Sequence, residues 1–168
     1  MGSHLVDFLL TEDHQVFGVD DLSGGYLENV NPKSTFYKLD LRQSSKTINL
    51  IKKLKPQLIF HLAADATVGR SQFTPLSSTE RNYLASLNVL IGCVKAGTKK
   101  VVITSSMSVY GDQKPPFTED MPTAPVDIYG IAKTATEEAT RVLSQVYGFD
   151  YTIIRPIKFY GPPKILPD

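Results

Sequence analysis

Apolar positions fall into two alternating patterns along the chain. Short continuous runs read as buried strands, and runs with a three-to-four-residue period read as amphipathic helices. Met1 to His14 predicts a helix with Leu5, Val6, Phe8, Leu9 and Leu10 on a wide apolar face. Val16 to Asp20 predicts a short buried strand, and Ser23-Gly24-Gly25 a turn. Thr35 to Leu39 predicts a second strand, ending at Asp40. Ser44 to Leu54 predicts a helix closed by Pro56. Leu58 to Leu62 predicts a third strand, running into Ala63-Ala64. Thr79 to Ala96 predicts a helix with Tyr83, Leu87, Leu90, Ile91 and Val94 inward and Gly97 as its C-terminal stop. Lys100 to Thr104 predicts a fourth strand. Ile128 to Tyr147 predicts a long helix, stopped by Gly148. Its apolar face is Ile131, Ala135, Ala139, Val142, Leu143 and Val146. Tyr151 to Arg155 predicts a fifth strand, ended by Pro156. This alternation predicts an α/β fold, a doubly wound parallel sheet with right-handed crossovers, in one domain over residues 1–168. A helix ahead of the first strand is unusual for that pattern.

Composition narrows the class. The 168 residues are 42% hydrophobic with a net charge of +1. That supports a real core and argues against a nucleic-acid partner. Lys52, Lys53 and Lys55 read as a solvated helix end. The single cysteine, Cys93, excludes an internal disulfide and a multi-cysteine zinc site, and reads as a small buried residue. Leu5 to Leu10 is too short, and is interrupted by Asp7, to be a signal peptide or a membrane span. A soluble cytoplasmic protein is expected. His4 and His14 suggest no metal site, and His61 reads as a packed core histidine.

The candidate chemistry lies between Thr104 and Lys133. The fourth strand runs into a hydroxyl cluster, Thr104, Ser105, Ser106 and Ser108. A proline-rich loop follows, and then Tyr129-Gly-Ile-Ala-Lys133 opens the long helix. Ligands of open parallel sheets bind outside the carboxyl ends of the strands, where Ser106 is expected. Tyr-x-x-x-Lys spacing also occurs at Tyr110/Lys114 and Tyr160/Lys164, but prolines keep both of those out of a helix. Only Tyr129 and Lys133 share a helical face.

Nearer the start, Asp20 closes a strand at a place where dinucleotide folds carry an acidic residue for the ribose hydroxyls. Its charge would oppose a 2′-phosphate, so NAD is favoured over NADP. The competing reading is an aspartate that only begins a turn. Asp40 could accept a hydrogen bond from an adenine amino group. Ala63 and Ala64 are small enough for a flat ring or a pyrophosphate to approach the backbone.

Seven pieces in order carry a resemblance: Gly2-Ser-His-Leu-Val, Val19-Asp-Asp-Leu-Ser23, Asp40-Leu41, His61-Leu-Ala-Ala64, Ser105-Ser-Met-Ser-Val-Tyr-Gly111, Tyr129-Gly-Ile-Ala-Lys133 and Arg155-Pro-Ile-Lys-Phe-Tyr-Gly-Pro162. Together they resemble the extended short-chain dehydrogenase/reductase family, in its NAD-dependent nucleotide-sugar epimerase/dehydratase group. The resemblance implies Ser106, Tyr129 and Lys133 as the catalytic set. It implies Gly2, Asp20, Asp40, Ala63, Ala64, Asn82, Tyr129 and Lys133 as NAD contacts, and Ser106, Ser108 and Tyr129 as contacts to a nucleotide-sugar. A homodimer is a possible assembly.

The reaction implied is epimerisation at C4 through a 4-keto intermediate. Tyr129 acts as base, with Lys133 and the oxidised nicotinamide favouring its phenolate, and Ser106 relays the proton. Dehydratases of the group carry an acid just after the catalytic hydroxyl, where this chain has Met107-Ser108. An epimerase is therefore the closer pattern. The chain departs from the family elsewhere. Gly2 matches only the last glycine of the family's Gly-x-x-Gly-x-x-Gly turn, no strand precedes it, and the family's C-terminal substrate region does not follow Asp168. Lys158 stands where an asparagine is usual. These departures lead us to expect weak NAD binding by this chain. They also keep open a second class, a non-catalytic Rossmann-like fragment or decayed copy acting as a binding module.

Overall fold

The computed structural model describes residues 1–161 and Lys164. The chain divides into two compact units, Met1–Asp40 with the tail from Phe159, and Leu41–Lys158.

In the first unit, helix α1 (Gly2–Thr11) precedes strands β1 (Phe17–Asp20) and β2 (Thr35–Lys38). The strands pair in parallel from Phe17↔Thr35 to Asp20↔Lys38. Leu5, Val6, Leu9 and Leu10 are half-buried, and Phe8 is exposed. Asp7, which interrupts the apolar run, is a tether. Its carboxylate accepts from Asn31 Nδ2 at 2.8 Å and pairs with Lys164. Lys164 Nζ also donates to Ser3 O at 3.0 Å. Lys164 first, and Asn31 second, hold the Asp7 carboxyl below its ordinary value.

The second unit contains α2 (Ser44–Leu54), β3 (Leu58–His61), α3 (Val68–Ser71), α4 (Pro75–Thr79), α5 (Ala85–Ala96), β4 (Lys100–Thr104), α6 (Ile128–Tyr147) and β5 (Asp150–Ile154). Its sheet has the order β3-β4-β5, all parallel, with β4 central. Val101 and Ile103 of β4 are fully enclosed, as a central parallel strand requires. They join Ile51, Val89, Leu90, Cys93 and Phe149 in the core. Helices α2 and α5 meet closely at Gly92, where a Cβ would stand 2.7 Å from Ile51 Cδ1. Burial pushes the Cys93 thiol up to about 12, as expected of a cysteine that only fills space.

Parallel pairing with helical crossovers makes the fold Rossmann-like. β4, α6 and α2 keep their expected bounds, and Gly97 and Gly148 end their helices at left-handed φ. Tyr110/Lys114 is not helical across its span, and the span from Tyr160 to Lys164 reaches beyond the described residues. Pro162, the last residue of the Arg155 motif, lies outside the described residues.

The strands form two parallel sheets, with β1 and β3 each at an edge of its own. Other expectations are corrected. The helix expected from Thr79 begins at Pro75, because proline at the first helical position follows Thr74 as cap. It then widens into a π turn over Glu80–Leu84 before α5. Helix faces are the second correction. On α5 the enclosed residues include Ala85, Ser86, Val89, Leu90 and Cys93, whereas Tyr83, Leu87, Ile91 and Val94 are only half-buried. On α6 half of the expected apolar face is outside: Ile131, Val142 and Val146 are exposed, whereas Ala139 and Leu143 pack against the core. The enclosed face is Tyr129, Gly130, Ala132, Lys133, Thr136, Glu137 and Thr140. It can be enclosed because its polar atoms are bonded. Thr136 and Thr140 hydroxyls donate to carbonyls one turn back, at 2.9 and 2.7 Å, and the two charged groups have the partners described below.

Candidate active site

The site is built where β4 ends. Ser105 N donates to Ile154 O at 2.8 Å, and Met107 N to Pro156 O at 3.3 Å, so the chain leaving β4 runs beside the end of β5. Ser106 then caps a 3-10 turn, Met107–Tyr110. Its Oγ accepts from Ser108 N and donates to Ser108 Oγ, each at 3.2 Å. Ser106 and Ser108 are half-buried.

Helix α6 is fixed against this turn. Asp127 caps it, accepting from Gly130 N at 2.7 Å. Tyr129 N donates to the buried Ser71 Oγ at 3.4 Å. A Cβ at position 130 would lie 2.7 Å from Ser108 O and 3.0 Å from Pro125 Cβ. Glycine therefore lets the helix start touch the backbone of the hydroxyl turn. One turn apart on the enclosed face stand Tyr129 and Lys133, 6% and 2% exposed. Lys133 Nζ lies 5.7 Å from the Tyr129 ring centroid and donates to Thr104 O at 2.8 Å.

The electrostatics oppose the expected activation of Tyr129 in part. Burial raises its phenol, interaction with the Ser106 hydroxyl pulls it back down, and Asp127 and Asp65 raise it further. Burial lowers the Lys133 ammonium to about 8. In this state the lowering of Tyr129 comes from Ser106, not from Lys133.

His61, at the end of β3, is buried as expected. Burial first, and Lys133 second, lower it to about 3. Its Nε2 is 2.8 Å from Ser86 Oγ, and that hydroxyl donates to Asn82 O at 2.5 Å. His61 is therefore the donor, in its neutral Nε2–H form.

Ala63 and Ala64 are exposed just beyond β3. Asn82, in the π turn, is fully enclosed and holds the loop after them. Its Oδ1 accepts from Asp65 N at 3.0 Å, and its Nδ2 donates to Asp65 O at 3.1 Å and Ser78 O at 3.0 Å. Asp65 in turn pairs with Arg70 at 2.6 Å. Burial would raise its carboxyl, but bonds from Thr67 and Arg70 bring it below its ordinary value.

The first unit carries the other expected residues. Gly2 is the first residue of α1. Asp20 is exposed at the end of β1, and its Oδ1 accepts from Leu22 N at 2.7 Å. The turn-forming role is thus real, though it occupies one oxygen. Asp40 is half-buried after β2 and has an interaction of its own. Lys158 is exposed.

Sequence reasoning missed Ser71, Asp65 and the pair formed by Glu137 and Arg155. Only Glu137 left a signal, since Tyr129, Lys133 and Glu137 recur every four residues. Among the described residues, no three His, Cys, Asp or Glu side chains are grouped to hold a metal, and no helix is long and apolar enough to cross a membrane.

The model of the NAD dependent epimerase/dehydratase family matches residues 1–167. The chain belongs to this family. A UDP-glucose 4-epimerase of Mycolicibacterium smegmatis is 38% identical over 169 residues, covering 96% of this chain and 54% of that protein. A putative UDP-glucose 4-epimerase of Methanocaldococcus jannaschii is 32% identical, covering 96% and 53%. Among solved structures, the Thermotoga maritima UDP-glucose 4-epimerase with UDP-glucose is 34% identical with a TM-score of 0.88, covering 92% of this chain and 51% of that one. The Thermus thermophilus UDP-glucose 4-epimerase complex with NAD is 32% identical with a TM-score of 0.86, covering 92% and 50%. This family member thus spans about half the length of the relatives it matches.

Proposed function

We propose that this chain carries the catalytic half of an NAD-dependent nucleotide-sugar 4-epimerase. The observation that carries the reading is the placement of Tyr129 and Lys133 on the enclosed face of α6, with Ser106, beyond the end of β4, acting to lower the phenol. The relatives named for UDP-glucose support a UDP-sugar as substrate.

Each unit by itself presents residues that suit part of a nicotinamide dinucleotide. In the first unit the exposed Asp20 offers an acceptor for ribose hydroxyls, Asp40 an acceptor for adenine, and Gly2 a helix start for phosphate. In the second, Ala63 and Ala64 present backbone without bulk, Asn82 holds their loop in place, and Lys133 can hold a ribose hydroxyl. When bound, NAD supplies the acceptor and donor of the hydride. The chain's own residues handle the proton. Ser106 holds the sugar 4-oxygen and passes its proton to Tyr129 Oη, and Ser108 holds a second sugar hydroxyl. Tyr129 must lose its proton against the burial that raises it, so a positive charge brought near the phenol favours the step. Met107 and Ser108 leave no acid for eliminating water, which supports epimerisation. The exposed ridge of Ile131, Val142 and Val146 supports a homodimer.

Interconversion of UDP-glucose and UDP-galactose with added NAD tests the reading, using the wild-type chain and Tyr129→Phe. Turnover that vanishes in the variant is expected. Equal turnover in both refutes the role of Tyr129. No turnover in either, with NAD still bound, favours a non-catalytic binding module.

A further inference from the structure

We propose that Glu137 and Arg155 form the device that positions the catalytic set, fixing α6 along and about its axis so that Lys133 meets Thr104. The inference rests on the reading of Lys133 and Tyr129 given above.

Arg155 is the first residue beyond β5, and its guanidinium gathers three segments. Nε donates to Glu137 Oε1 at 2.9 Å and Nη2 to Glu137 Oε2 at 2.6 Å, a two-point clasp on α6. Nη1 donates to Tyr110 Oη at 2.8 Å, at the end of the turn that Ser106 caps. The same nitrogen reaches Glu119 O at 3.3 Å, in the proline-rich loop leading to α6. The guanidinium carbon also lies 4.9 Å from the Tyr110 ring centroid, and that ring stacks on Phe117 with centroids 4.8 Å apart. One planar group therefore ties together the helix of Lys133, the turn of Ser106 and Ser108, and the loop between them.

The placement on α6 gives the clasp its use. Glu137 is one turn beyond Lys133, which is one turn beyond Tyr129, all on one face. A residue on that helix rises by about 1.5 Å over the one before it. Among the described residues Lys133 Nζ donates to one acceptor, the Thr104 carbonyl, so a slip of one residue would separate them. Apolar packing could press α6 on the sheet without fixing its register. A bidentate fork fixes both translation and rotation. Glu137 is fully enclosed, and a second cation, Arg141, reaches its Oε2 at 3.1 Å. Burying a charge this completely is a poor route to stability, which points to placement as its use. Burial alone accounts for the lowered Lys133 ammonium. Glu137 therefore acts on Lys133 through the helix and not through its charge.

The test follows the Lys133 ammonium by NMR in the intact chain labelled with nitrogen-15 in lysine. Enclosed and bonded to Thr104, it should give a slowly exchanging resonance, assigned by its loss in Lys133→Arg. Glu137→Gln and Arg155→Lys are each expected to abolish that slow exchange while the dispersion of backbone amides persists. Arg155→Lys keeps the charge but not the fork, so a role in charge balance alone predicts that it preserves the resonance. Survival of the resonance in either folded variant overturns the proposal, whatever the fall in unfolding midpoint. Should Glu137→Gln not fold, Arg155→Lys decides. Tyr110→Phe deletes one hydroxyl and leaves the stack on Phe117, so it folds independently of the clasp. It should speed Lys133 exchange, and unchanged exchange counts against the device. None of these readouts depends on turnover, so failure of the epimerase reading would leave them intact.

Discussion

Lys133→Met should make the chain more stable at pH 7 while removing a residue of the proposed catalytic set. Lys133 is 2% exposed, and burial lowers its ammonium from an ordinary 10.5 to about 8. At about 1.4 kcal/mol for each tenfold change in proton affinity, the charged side chain costs the fold on the order of 3 kcal/mol. Methionine keeps the length and removes the charge, but leaves Thr104 O without its donor, an offset of about 1–2 kcal/mol. A net gain of about 1–2 kcal/mol at pH 7 follows. The sign with pH is fixed by the depressed value. Below pH 8 the lysine is charged in both folded and unfolded chains, and its burial cost is present in full. As pH rises from 8 toward 10.5 the folded chain has already released the proton that the unfolded chain still holds, so wild-type stability rises. Urea unfolding of both proteins from pH 7 to pH 10 measures the difference, and groups common to both cancel. The advantage of Lys133→Met should shrink steadily above pH 8. A variant less stable at pH 7, with a difference independent of pH, would refute the burial argument.

Gly130→Ala should lose about 1–2 kcal/mol, because crowding against the Ser108 backbone outweighs the better helix propensity of alanine; urea midpoints measure it, and a gain in stability would contradict the close approach. His61→Gln should flatten the acid limb of the stability curve. The wild-type histidine stays neutral when folded down to about pH 3, whereas the unfolded chain takes up its proton near 6.5. Stability therefore falls between those values in the wild type and not, on this account, in the variant. Parallel acid limbs in the two proteins would count against a neutral His61.

The strands and their parallel sense were legible because continuous apolar runs such as Lys100–Thr104 have few other uses in a chain with this alternation. The enclosed face of α6 was legible only in part. Period alone marks which residues share a side, and hydrophobicity then finds only part of the inner side, Ala139 and Leu143, when Lys133, Glu137 and two threonines are all bonded within the fold. The same reasoning did not reveal the surroundings of Tyr129. Spacing shows that Lys133 is one turn away, but the depth of burial and the carboxylates of Asp65 and Asp127 come from segments whose approach no local pattern records. Asp65 is one residue beyond the alanine pair that sequence did mark, and its tie to Asn82 joins positions 17 apart in the chain.

The clasp between Glu137 and Arg155 also orders events during synthesis. Glu137 leaves the ribosome 18 residues before its main partner. Before then the other cation that bonds it, Arg141, is available one turn away on the same helix. A nascent α6 can form early, but it cannot seat its charged face on the sheet until β5 has been made and Arg155 follows it. The clasp on the helix bearing Tyr129 and Lys133 is thus completed by one of the last residues of its unit to be translated.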